Sequence, residues 1–232
     1  MRNVLREEKK FLIIETELRK KSHFLHQFLT EDPHNGVNGY PIRSLYFDTL
    51  NDDDFRDKMD GVEIRRKIRL RCYDPEGNFA MLEMKQKQGA MQRKRSLKLS
   101  REAAERLIAC DYTPLLERKE AFARECYGLM QYQCYRPKTI VEYRRKAFIA
   151  KENRIRITFD SNITATESCF DLFSSRLNMN PVMDRSLSVL EVKFDGFLLS
   201  YIREMLNSID KSELSVSKYC LARQHGCPAN LL

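Results

Sequence analysis

No run of apolar residues approaches the roughly 18 needed to span a bilayer, and residues 1 to 29 carry charges throughout instead of the apolar centre of a secretion signal. Such a chain is expected to stay in the cytoplasm. The seven cysteines, at positions 72, 110, 126, 134, 169, 220 and 227, include no C-x-x-C pair, and their odd number argues against a disulfide framework. Reduced, mostly buried thiols are the expectation. The eight glycines form no G-x-x-x-x-G-K-[ST] loop, which excludes a P-loop nucleotide enzyme. Repeats, low-complexity stretches and Pro/Gly-rich linkers are also missing, so residues 1–232 are expected to form a single domain. His23 and His26 stand three apart on an expected helix, but no His or Cys nearby completes a metal site, and they read as surface or packing residues.

What the chain does have is charge. Of its 232 residues 42% are hydrophobic and 32% charged, enough core-forming material for one ordered domain of this length. Lys and Arg number 41 against 33 Asp and Glu, a net charge of +8 that favours anionic partners: nucleic acid, an acidic membrane surface or a phosphorylated small molecule.

Turn residues and hydrophobic periodicity predict eight strands, near 6–14, 42–48, 62–72, 78–87, 92–99, 139–149, 154–160 and 187–195. Helical spacing is predicted over 16–29, 101–110, 115–133 and 197–209, with Ser100 as the N-cap of the second helix and residues 215–219 leading into a short C-terminal segment.

Successive side chains of a strand point to opposite faces, so residues of one parity are read together. Along 63–71 one face is Glu63, Arg65, Lys67, Arg69 and Arg71, while the other is Ile64, Arg66, Ile68 and Leu70. The same division recurs in Arg6, Glu8 and Lys10, in Glu83, Lys85 and Lys87, in Arg154 and Arg156, and in Glu191 and Lys193. A half-exposed antiparallel sheet accounts for any one such strand. Taken together they say more, because the amphipathic helices need the apolar faces and leave the charged ones pointing to water or to each other. Eight strands closing on themselves would enclose the charges, where so many cations are costly without an anion. A lumen lined this way implies a polyanionic ligand. Arg and Lys suit a phosphate chain, and Glu191, Glu8 and Glu83 are candidate hard-oxygen ligands for Mg²⁺ or Mn²⁺.

Eight short motifs in one order then carry a resemblance: Arg6-Glu-Glu8-Lys-Lys10-Phe, Ser44-Leu-Tyr46-Phe-Asp48, Arg69-Leu-Arg71, Leu82-Glu83-Met-Lys85, Tyr143-Arg-Arg145, Arg154-Ile-Arg156, Leu190-Glu191-Val-Lys193 and Ser217-Lys218-Tyr219. From about residue 4 to 224 the chain resembles the VTC domain of polyphosphate polymerases, within the CYTH-like triphosphate tunnel metalloenzymes. The resemblance implies an α+β fold, an antiparallel eight-stranded β-tunnel with helices packed on the outside. It implies a divalent metal, Mn²⁺ or Mg²⁺, and transfer of the γ-phosphoryl group of ATP onto a growing polyphosphate chain. By motif position Lys10, Arg69, Arg71, Lys85, Arg95, Arg145, Arg156, Lys193 and Lys218 would bind phosphate, with Lys10, Arg69, Arg71, Arg145, Arg156 and Glu191 serving the transfer itself. Glu191 would be the principal metal ligand, and Glu8 and Glu83 would orient the basic residues or share the metal. A terminal phosphate oxygen is already an anionic nucleophile, so no dedicated general base is required.

The chain departs from the pattern in three ways. Arg6 stands where the wider family begins Glu-x-Glu-x-Lys, and Ser215 stands where a second lysine precedes the one matching Lys218. By resemblance to stand-alone bacterial members, the phosphate-sensing and transmembrane segments of eukaryotic polymerases are not expected, and any membrane coupling would then need a membrane-protein partner. The same lining would also serve a hydrolase of triphosphate or nucleoside triphosphates, or a non-catalytic polyphosphate-binding module. Nucleic acid is not expected: the aromatic residues form no RRM-type cluster, no helix-turn-helix or zinc-finger spacing occurs, and the basic residues alternate on strands.

Overall fold

The computed structural model describes residues 6–89, 91–209 and 217–226. The strands are β1 (Arg6–Ile14), β2 (Thr30–Glu31), β3 (Tyr40–Asp48), β4 (Ile64–Cys72), β5 (Phe79–Gln88), β6 (Met91–Ser100), β7 (Arg136–Ile149), β8 (Arg156–Thr166), β9 (Asn180–Pro181) and β10 (Leu187–Asp195). The helices are α1 (Glu15–Phe28), α2 (Asp53–Met59), α3 (Arg101–Ile108), α4 (Ala121–Tyr132), α5 (Ser200–Asn207) and α6 (Lys218–Gly226). Strand order is β1-β10-β8-β7-β3-β4-β5-β6, with β2 on β7 and β9 on β8. The expected α+β class and the eight long antiparallel strands are present. The hydrogen-bonded path is open, however, because its end strands β1 and β6 are not neighbours in that order.

Two compact units are distinguishable. Unit 1 comprises residues 1–41, 143–163 and 183–217, and unit 2 comprises residues 42–142, 164–182 and 218–232. Each has its own core. In unit 1 the apolar parity of β1, β8 and β10, including Phe11, Ile157, Phe159, Leu190 and Val192, packs with Leu25 of α1 and Ile202 and Leu206 of α5. In unit 2 Leu45, Phe47, Ile68, Leu70, Leu82, Met84, Leu97 and Leu99 pack with Leu107 of α3 and Ala123, Cys126 and Met130 of α4. Burying side chains of this size contributes about 1.5–3 kcal/mol each. The helices thus take the apolar strand faces, as helix amphipathicity requires.

Ser100 caps α3, its Oγ accepting the Ala103 backbone N–H at 3.2 Å. Helix α2 was not expected, since its sequence, Asp53 to Met59, is short and charged with no apolar period. It forms because Asp48 at the end of β3 accepts the N–H groups of Thr49, Asp54 and Phe55 at 2.7–2.9 Å. Arg66, the one charge on the apolar parity of β4, is matched by Asp54 of this helix at 3.4 Å. The six cysteines among the described residues are free thiols, with Cys72, Cys126 and Cys220 buried. Burial pushes the Cys126 thiol up to about 12, so it stays protonated and unreactive.

Candidate functional site

In unit 1, pairing brings the charged parities of four strands onto one face. Glu8 lies opposite Lys193 and Lys10 opposite Glu191 between β1 and β10; Glu191 lies opposite Thr158 and Lys193 opposite Arg156 between β10 and β8. Lys10 ion-pairs with Glu8, and Lys193 with Glu191, while Glu8 is 3.9 Å from the same Lys193 ammonium. One cation therefore sits between two carboxylates. Arg156 donates to Asp32 at 2.7 Å and to the Tyr40 hydroxyl at 3.2 Å. Arg145 of β7 grips buried Asp160 with two bonds of 2.7 Å. Burial works against the Arg145 cation, but the facing Asp160 charge outweighs it and holds the guanidinium protonated.

The charged face of unit 2 is more one-sided. Tyr46, Arg69, Glu83 and Ser96 form one cross-strand row over β3, β4, β5 and β6, and Lys67, Lys85 and Lys94 form the next. Glu83 is buried and receives Arg69 (2.7 Å), Arg71 (3.7 Å) and Lys94. Burial alone would raise its carboxyl, yet the three cations hold it down to about 2. The Tyr46 hydroxyl accepts from Arg69 Nη1 at 2.9 Å, and the Tyr46 ring stacks on Tyr219 at 5.0 Å between centroids. Tyr219 in turn donates to Asp48 at 2.6 Å, anchoring the helix that Lys218 opens. Lys218 itself is half-buried.

The structure thus groups Lys10, Arg145, Arg156, Glu191, Lys193 and Glu8 on one face of unit 1, and Arg69, Arg71, Lys85 and Glu83 on one face of unit 2. Arg95 is not among them. Its register partner is Met84, on the apolar parity with Leu97 and Leu99. There it donates to Glu125 of α4 at 2.6 Å and lies 4.9 Å from the centre of the Phe122 ring. It tethers a helix, and Lys94 occupies the charged face instead. The alternation Lys94, Ser96, Lys98 against Arg95, Leu97, Leu99 carries this in the sequence, because two leucines fix which parity faces the core. Asp32 and Asp160, the partners of Arg156 and Arg145, were also missed, and Tyr46, the partner of Arg69, stands in a sequence motif that carried no site role. Their spacing in the chain from those arginines carries no local signal. Ser215 lies outside the described residues.

For a divalent metal, the donor set to test is Glu191 with Glu8. No group of three or more His, Cys, Asp or Glu side chains gathers among the described residues, so an all-protein cage is not built. Two hard-oxygen carboxylates around one ammonium do fit an ion that takes its remaining ligands from phosphate oxygens and water. Glu83 fits less well, since its oxygens are already engaged by three cations.

The apolar strand parities thus lie under α1, α3, α4 and α5, and the opposite parities carry the charged rows. The chain belongs to the VTC domain family, whose model matches residues 5–225. Among solved structures, a Bacillus halodurans protein described as a "putative adenylate cyclase" shares the fold with a TM-score of 0.53 at 13% identity, covering 92% of this chain and 95% of that one. A Pyrococcus horikoshii protein, PH1819, aligns over 96% of this chain and 91% of its own with a TM-score of 0.40 and 10% identity. No curated protein matches the sequence. No helix among the described residues is long and apolar enough to cross a membrane.

Proposed function

We propose that the protein is a polyphosphate polymerase-like phosphotransferase, moving the γ-phosphoryl group of ATP onto a polyphosphate chain bound along its cation-rich strand faces. The observation that carries this reading is the row Lys67, Lys85 and Lys94, three ammonium-bearing residues directly opposite one another on adjacent strands. Like charges so placed destabilise a sheet. Sequences avoid that cost unless anions offset it; Glu83 meets part of it at Lys94, and a phosphate chain laid across the strands, along this row, supplies closely spaced negative charge.

In the transfer, a terminal oxygen of the acceptor chain attacks the γ-phosphorus, the bond from that phosphorus to the bridging oxygen breaks, and ADP leaves with its new terminal charge. The nucleophile arrives ionised, so no residue need take a proton. Arg145 and Arg69 are held rigid by Asp160 and Glu83, which lets their remaining donors meet phosphate oxygens with little reorganisation. Arg71, Arg156, Lys10, Lys85, Lys193, Lys218 and, in place of Arg95, Lys94 hold the chain and neutralise charge. A divalent ion held by Glu191 and Glu8 would supply further neutralisation of the transferred and leaving phosphates.

The test is incubation of the purified protein with γ-labelled ATP and Mn²⁺ or Mg²⁺, resolving products by gel beside Glu191→Ala. Labelled long chains that fall by about 100-fold or more in the variant are the expected result. Free phosphate without chains would assign a hydrolase instead, and tight polyphosphate binding without turnover would assign a binding module.

A further inference from the structure

Unit 1 also holds a cavity of about 800 Å³ on the side of its strands opposite Lys10, Arg145 and Arg156. Strand alternation fixes this. Arg144 and Lys146, which line the cavity, flank Arg145 on β7, and the lining residues Ser188 and Phe159 share parity with the core residues Leu190 and Ile157. The opposite wall is a stripe of α1 containing Glu15, Arg19, Ser22 and His26, polar where a packed helix face would be apolar.

The charges of this cavity do not balance. Four cationic residues line it, Arg19, Arg144, Lys146 and Arg185, against Glu15 and Glu31. Glu15 is bound by Arg19 at 2.7 Å, and Glu31 by His26 at 2.9 Å and Lys146 at 3.7 Å. Among the described residues the two other cations meet no carboxylate. Arg144 donates to the backbone carbonyls of Asn38 at 3.1 Å and Gly39 at 3.0 Å, which orient its guanidinium without neutralising it. Arg185 makes no hydrogen bond or ion pair among the described residues. A guanidinium oriented by backbone carbonyls, with a second, exposed one beside it on a polar, open cavity, suits the oxygens of phosphate. The one Phe, Tyr or Trp ring in the lining, Phe159, is buried in the core and offers no exposed face for a base.

We propose that this cavity is a second phosphate site, which takes a small inorganic phosphate anion of pyrophosphate size. The proposal stands apart from the polymerase reading, because no cavity residue belongs to the charged strand faces. It also gives the site a route to them. Arg144 and Lys146 are the chain neighbours of Arg145, so an anion bound on the helix side steadies the segment of β7 that presents Arg145 on the other.

Calorimetric titration with inorganic pyrophosphate, without metal, tests it on four proteins: wild type, Arg185→Glu, Arg185→Glu with Lys146→Gln, and Lys10→Ala with Arg156→Ala. Two classes of site are expected in the wild type. The Arg185→Glu proteins should lose one class, weakened at least tenfold in the single variant, while the Lys10→Ala/Arg156→Ala protein keeps it. Arg185 is exposed and makes no ion pair among the described residues, so its replacement tests binding without endangering the fold. Binding unchanged by Arg185→Glu, or abolished by Lys10→Ala with Arg156→Ala, overturns the proposal. Loss of binding in the Arg185→Glu proteins alone, with a single class in the wild type, would keep this site and remove support for the charged strand face as a phosphate site.

Discussion

Neighbouring residues on β6 have opposite duties. Lys94 reaches Glu83 on the charged face, whereas Arg95 lies half-buried against Glu125 and Phe122 on the helix side. Lys94→Ala is therefore expected to weaken tripolyphosphate binding about tenfold while changing the melting temperature little, since removing one exposed partner still leaves Glu83 with two arginines. Arg95→Ala should do the reverse, lowering stability by about 1–3 kcal/mol through the lost helix tether and leaving tripolyphosphate affinity near wild type. Calorimetric titration and thermal melts of the two variants check both halves. Equal loss of affinity in both would mean that parity does not decide which residue meets phosphate.

Among the elements, the turn before β3 is the one most tightly tied to a candidate site residue. Gly39 has φ +75°, and a Cβ there would lie 2.3 Å from the Arg145 carbonyl oxygen, a backbone atom that cannot swing aside. Gly39→Ala combines that clash with a strained backbone and is expected to cost about 2–4 kcal/mol. Because the clash displaces β7 at Arg145, phosphate affinity should fall as well. Chemical denaturation and a binding titration measure the two effects, and a variant of wild-type stability would show that the turn has room to shift. At the C-terminal end, α6 is positioned by side chains: Tyr219 reaches Asp48, and Arg223 reaches Asp52 and Glu167, both at 2.7 Å. Nothing in the weakly amphipathic sequence of α6 announces that docking, since each partner lies more than 50 residues away.

For the molecule as a whole, two buried carboxyl groups set opposite slopes of stability against pH. Glu83 is held at about 2 in the folded state against an ordinary 4.5, so its contribution is complete above pH 4.5 and is lost as pH falls from 4.5 towards 2. Asp54 behaves in the other sense: burial and the nearby Asp48 charge raise it to about 7 from 3.8. Between those values the folded state holds a proton that the unfolded state releases, and stability declines as pH rises from about 4 to 7. Each contribution is on the order of a few kcal/mol. Denaturation across pH should show Asp54→Asn flattening the decline towards neutrality and Glu83→Gln flattening the loss in acid. A wild-type curve rising steadily from pH 4 to 7 that is unchanged in Asp54→Asn would refute the assignment.

The sequence by itself determined the class of fold and which strand faces carry the charges. Strand alternation is local, so the charged parities containing Lys10, Arg69, Arg71, Glu83, Lys85, Arg156, Glu191 and Lys193 could be read before any pairing was known. Their strands then fell where periodicity put them, with β1 and β10 matching to the residue. Only the tertiary structure decided which donor each carboxylate meets, because Asp32 with Arg156 and Asp48 with Tyr219 join residues more than 100 positions apart. It alone raised a seven-residue charged helix on the carboxylate of Asp48, and it alone opened a cavity beside α1 from residues contributed by several segments. Periodicity reports which face a side chain takes. Register and helix docking, which no local pattern encodes, decide what it meets there.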